Sequence, residues 1–116
     1  MKLAILVLAL TIALAAGKSV VDSFDAPDGD ISGLGWENGE LWGLDAFNKV
    51  VYRIDPTSGN VIDSFSVGIS SSYEGTGLAV ENGTVFVGAW DNGSNVYVYK
   101  YDTSGNYIAA YSMCGG

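Results

Sequence analysis

The chain has 116 residues, 48% of them hydrophobic and 16% charged, with 16 glycines, one cysteine and no histidine. Five Lys plus Arg against 13 Asp plus Glu give a formal net charge of -8, which repels phosphate backbones and anionic lipid surfaces alike and argues against nucleic acid as a partner. Without histidine there is no Ser-His or Cys-His nucleophile pair, no histidine-ligated zinc and no imidazole base, and most hydrolase chemistry goes with them.

Residues 1–16 read MKLAILVLALTIALAA: Lys2, then an apolar run, then small residues. This is the pattern of a secretory signal peptide. The run is shorter than the roughly 20 residues needed to cross a bilayer. Ala13-Leu14-Ala15 offers a small-x-small cleavage site, so residues 1–15 are expected to be removed and the rest secreted, with no membrane attachment after cleavage. A retained anchor is the alternative. What remains, roughly 100 residues, suffices for one small domain.

The next segment, Val20-Val21-Asp22-Ser23-Phe24, echoes Val61-Ile62-Asp63-Ser64-Phe65 at an offset of 41. By this likeness residues 19–25 are expected to form an extra outer strand. Asp25-Ala26-Pro27-Asp28-Gly29-Asp30 then gathers carboxylates on a short turn. It lacks the alternate-position ligands and closing Glu of an EF-hand loop, so a solvated turn is expected, and neither a metal nor a cofactor.

From residue 33 the chain repeats. GLGWENGELWGLD (33–45) aligns with GLAVENGTVFVGA (77–89) at an offset of 44, and NKVVYRIDPTSGNVIDSFS, from Asn48, with NVYVYKYDTSGNYIAAYS, from Asn95. Self-similarity at a fixed period decides the fold class before any single residue does. Within each copy, Asn38-Gly39 and Asn82-Gly83 mark two-residue hairpins with positive φ. Asp55-Pro56-Thr57-Ser58-Gly59 and Asp102-Thr103-Ser104-Gly105 mark Asp-started turns closed by glycine. Between the turns run β-branched and aromatic residues in alternation, as in Val50, Tyr52, Ile54 and Tyr97, Tyr99, Tyr101. No amphipathic helix of usable length is present.

Four antiparallel strands per repeat of roughly 44 residues match a β-propeller blade. The residues GLGWENGELW and NKVVYRIDPTSGNVIDSF resemble the blade repeat of secreted bacterial and archaeal propellers of the NHL, YVTN and streptogramin-lyase-like kind. A shorter likeness, on Glu74-Gly75 and Gly77-Leu78, is to glutaminyl cyclotransferase propellers. The expected fold is all-β: a two-blade module over residues 19–113, with blade 1 at 34–66, blade 2 at 78–112, the extra outer strand at 19–25 and a tail at 114–116. Cys114 in that tail has no intrachain partner; an intermolecular disulfide and an incidental thiol both remain open.

The resemblance implies that ligands bind on the face made by the loops entering the innermost strands, here Ala26 to Ser32 and Gly68 to Thr76. Asp30 aligns with Glu74, so an acidic group recurs at one rim position, with Tyr73 beside it in the second loop. Such carboxylates can take a sugar hydroxyl or a cation, lend a general base, or simply hold loop amides. Trp36 and Trp42, replaced by Val80 and Phe86 in the other copy, are expected to be inter-blade core. Trp90 ends its strand without an aromatic counterpart and is a candidate stacking surface. Asp30, Tyr73, Glu74 and Trp90 are therefore the expected ligand-binding residues; none is assigned a catalytic role.

Two functions compete. The first is an exported, non-catalytic module that binds a carbohydrate or protein partner. The second is a small propeller enzyme, a lyase or cyclotransferase using Glu74 or Asp30 as base, which the lack of histidine disfavours. Since two blades cannot bury both their flat faces, the chain is expected to join a homo-oligomeric ring or to be a fragment of a larger propeller. Apolar residues such as Tyr97, Tyr99, Tyr101, Val50 and Ile54 are expected to line the uncovered face.

Overall fold

In the structure, a computed structural model, residues 19–70 and 72–113 are described. The signal-peptide expectation and Cys114 lie outside them. The described residues form eight strands in two four-stranded antiparallel meanders. Blade 1 is β1 (Ile31–Glu37), β2 (Glu40–Asp45), β3 (Val50–Ile54) and β4 (Val61–Ser66); blade 2 is β5 (Glu74–Glu81), β6 (Thr84–Trp90), β7 (Val96–Asp102) and β8 (Tyr107–Ser112). The Asn-Gly hairpins have the expected geometry: Asn38, Gly39, Asn82 and Gly83 all have φ between 50° and 76°.

The innermost strands begin earlier than the turn chemistry suggests, at Ile31 and Glu74 rather than 34 and 78. Each contains a bulge, between Ile31 and Gly33 and between Gly75 and Gly77. A bulge hides strand character, because the extra residue breaks the period-2 alternation.

The main core is the layer between the blades. From blade 1 it takes Trp42, Leu44 and Val51; from the connector, Val67 and Ile69; from blade 2, Val85, Val87, Ala89 and Tyr101. Gly33 and Gly35 of β1 let the inner strands approach: a Cβ on either would stand 3.1 Å from Leu78 N or Val80 Cγ2. At the same contact the Glu37 carboxylate accepts the Gly83 N–H at 3.2 Å. The Tyr101 hydroxyl accepts the Gly68 N–H at 3.0 Å, tying the connector to blade 2. Arg53 lies 5.3 Å over the Trp42 ring while forming a two-pronged pair with Glu40. That hydrogen bond holds the Glu40 carboxyl below its usual range, against the opposing effect of burial.

Three expectations are corrected. Residues 19–25 are not a ninth strand: they run unpaired beside blade 1, because among the described residues both third strands, β3 and β7, are already paired on each side. The likeness to residues 61–65 still shows in packing. Phe24 fills the notch over Gly59, and Phe65 fills the matching notch over Gly105. Trp36 is not core but 59% exposed, since its side of β1 meets no second sheet. Tyr97, Tyr99 and Tyr101 do not line a bare face. They sit opposite Ala89, Val87 and Val85 in the ladder and so face blade 1. Ile54 is 2% exposed, in a cleft shared with Phe24, Ile31 and Leu41.

Gly105 has φ 90°, and a Cβ there would stand 2.6 Å from Phe65 Cγ. Gly105→Ala is therefore expected to cost about 2–4 kcal/mol in urea unfolding, combining a left-handed backbone with overpacking. Gly59→Ala should cost less, although its Cβ would stand 2.5 Å from Phe24, because the unpaired segment that carries Phe24 can retreat while the hydrogen-bonded β4 cannot.

Candidate functional site

At the end of the blades where β1 and β5 begin, the β2–β3 turn lies between them. Its anchor is Asp45, the last residue of β2 and fully buried. Asp45 Oδ1 accepts the N–H groups of Phe47 and Asn48 at 2.9 and 2.8 Å, and Oδ2 accepts Asn48 Nδ2 at 2.8 Å. Burial favours the neutral acid, but these donors outweigh it and hold the carboxyl below the usual range. Lys49, at φ 59°, closes the turn.

The fixed turn stitches both blades through Ala46. Its N–H donates to the Asp30 carbonyl at 3.2 Å, and its carbonyl accepts the Gly75 N–H at 3.4 Å. Asp30 and Glu74 are thereby brought to the two sides of one open cleft of about 370 Å³, lined also by Ile31, Ser32, Ala46 and Phe47. A second cleft of about 360 Å³ continues past Phe47 and Glu74 to Tyr73, Ser72, Lys49 and Asn92. Phe47 stands 75% exposed on the ridge common to both. The Tyr73 ring packs 5.5 Å from Tyr97. A hydrogen bond with Tyr97, assisted by desolvation, holds the Tyr73 hydroxyl above its usual range, so it stays a neutral donor.

Of the four expected site residues, Asp30 lines the first of these adjoining clefts, Tyr73 the second and Glu74 both, whereas Trp90 lines neither. Trp90 faces away from blade 1, 37% exposed, with Nε1 donating to the Gly93 carbonyl at 3.0 Å. Two residues escaped the sequence reading. Phe47 occupies a hairpin tip, where a large apolar side chain is itself a signal, because turns ordinarily carry polar residues. Asp45 aligns with Ala89, so no recurring carboxylate marks its position in the repeat.

Asp28, Asp30 and Asp45 each offer a carboxylate oxygen, all within 4.8 Å of one another. Among the described residues this is the group whose chemistry suits a hard cation. Asp45 already spends both oxygens on the turn, and Asp28 Oδ1 accepts the Asp30 N–H at 3.0 Å, so local hydrogen bonding accounts for the cluster.

No family model matches the chain, and no curated protein matches it. Among solved structures it is similar to "Europium-containing methanol dehydrogenase", a propeller protein, with a TM-score of 0.56 and 19% identity. The match covers 71% of this chain and 15% of that one; the chain thus spans under a sixth of that protein's length. At this identity the likeness speaks to fold alone, and it agrees with what the sheets show directly: two consecutive blades of propeller type.

Proposed function

We propose that the chain is an exported, non-catalytic propeller module that binds carbohydrate in the groove between the inner ends of its two blades. The observation that carries this reading is Phe47, an exposed phenyl ring lining the same cleft as Asp30 and Glu74. A sugar presents an apolar C–H face and a rim of hydroxyls. A phenyl ring takes the first, and carboxylates accept from the second through charge-assisted hydrogen bonds. The groove is also of ligand size, with a few polar groups converging on an apolar ridge. The apolar leader and the likeness to secreted NHL, YVTN and streptogramin-lyase-like repeats support export.

The test is a glycan array followed by calorimetry on the best hit. Phe47→Ala and Glu74→Gln are each expected to weaken binding about tenfold, while Trp90→Ala leaves it unchanged. Silence across the array, or a loss on Trp90→Ala with none on Phe47→Ala, would sink the carbohydrate reading. Turnover of a hit lost on Glu74→Gln would replace it with an enzyme.

A further inference from the structure

The contact between the blades is built from two sets of residues, and each set recurs on a face that meets no second sheet, although residues 22–27 border one end of the blade 1 face. In the buried contact, Gly33, Gly35 and the Glu37 carboxylate of blade 1 receive Leu78, Val80 and the Gly83 N–H of blade 2. The repeat places Gly77, Ala79 and Glu81 where Gly33, Gly35 and Glu37 stand, but on the far side of blade 2. A Cβ on Gly77 would meet nothing within 4 Å, and Ala79 and Glu81 are exposed. The repeat likewise places Leu34, Trp36 and Gly39 where Leu78, Val80 and Gly83 stand, on the free side of blade 1. Leu34 is 63% exposed and Trp36 59%. Lys100 lies 6.0 Å over Phe86 on the far side of blade 2, as Arg53 lies over Trp42 in the buried contact. One face thus carries the receiving half of a contact this chain already makes, and the other carries the inserting half.

We infer that the occupant of each face is a second copy of this chain, docked head to tail. Blade 2 of one copy receives blade 1 of the next, with Leu34 and Trp36 against Gly77 and Ala79, and the Gly39 N–H on Glu81. The choice of a copy rests on continuity with the internal interface: the two faces present equivalent groups in the same order along the same strand. Isolated exposed apolar residues need no explanation, but a contiguous row with a matching receiver does.

At the outer rim the same continuity sets a competition. Phe24 and Phe65 plug the notches over Gly59 and Gly105. The third residue of this series is Tyr111, 50% exposed at the end of blade 2. In the assembly it meets the Gly59 notch of the next copy, which Phe24 fills in the isolated chain. Val20 and Val21 are 81% and 98% exposed, so little besides Phe24 holds that segment in place, and docking displaces it.

Light scattering on the purified chain at micromolar concentration tests both statements. The expected result is a discrete species of about two to four copies, the number that supplies four to eight blades. Leu34→Asp and Ala79→Asp, both at exposed positions, should each give a folded monomer with the parent's circular dichroism spectrum. Mixed in equal amounts they should give a dimer and nothing larger, since each variant keeps one intact face of the opposite kind. A monomeric parent, assembly by Ala79→Asp alone, or a mixture that stays monomeric would each overturn the head-to-tail interface. Phe24→Ala should tighten association several-fold by vacating the notch; unchanged or weaker association overturns the displacement at the rim.

Discussion

Leu44→Ala is expected to lower stability by about 3 kcal/mol and the melting temperature by roughly 15 °C. Leu44 is fully buried and reaches across to β5, where its Cδ2 lies 3.0 Å from the point a Gly75 Cβ would occupy. The close approach of blade 2 at Gly75 leaves no other side chain to fill the space Leu44 vacates, so the cavity persists and its cost adds to the lost transfer free energy. A domain of this size has only about 5–15 kcal/mol in total, and its main core is a single layer. Thermal unfolding measured at a concentration too low for self-association gives the number. Ile62→Ala on β4, where the residue is 51% exposed, should cost under about 0.5 kcal/mol. Equal losses in the two variants would mean that the layer between the blades is not the dominant core.

The second large effect lies at the turn that forms the groove. Asp45→Asn keeps the volume but sets an amide N–H₂ against donors that now meet a carboxylate, and it should cost about 1–3 kcal/mol at pH 7. Acid should erase the difference. Because the folded Asp45 carboxyl sits below its ordinary range, its contribution is present above the unfolded value of about 4 and is lost as pH falls through the lower folded value. The parent therefore loses stability below about pH 4, and the gap between parent and variant narrows there. Asp91 and Asp102, each held low first by donors from an Asn, Asn95 and Asn106 respectively, titrate in the same direction in both proteins and do not affect the comparison. If the gap stayed constant down to pH 2, Asp45 would not be the charged anchor of the turn. The variant also links fold to site. Loosening the Phe47 and Asn48 N–H groups frees the ridge, so glycan affinity should fall along with stability, although no ligand need touch Asp45.

How far the sequence could be read differs from one element to the next. The Asn-Gly and Asp-started turns were legible because their chemistry is local: positive φ and side-chain acceptors act within a few residues. Leu44, Val51 and Val87 are less legible, because alternation assigns residues to faces without saying which face is covered. Trp36 and Trp42 lie on the same β-hairpin, whose two-residue turn pairs Trp36 with Leu41 and so puts the two indoles on opposite faces without saying which face is covered. Trp36 is exposed and Trp42 buried because only one side of blade 1 meets a second sheet.

The amino-acid sequence by itself determined the repeat, the four strands of each copy, the hairpins between them, and the pairing of Asp30 with Glu74 at one rim. These depend on period, turn chemistry and internal likeness, all properties of the chain read along its length. Only the tertiary structure decided that residues 19–25 stay unpaired, that the tyrosine row of β7 faces inward, and that Phe47 shares one cleft with Asp30 and Glu74 while Trp90 stands apart. The inward tyrosine row depends on which sheet lies against which, and there Gly33 and Gly35 allow the close approach to the strand opposite. A contact of that kind joins residues more than forty positions apart, and no local pattern announces it.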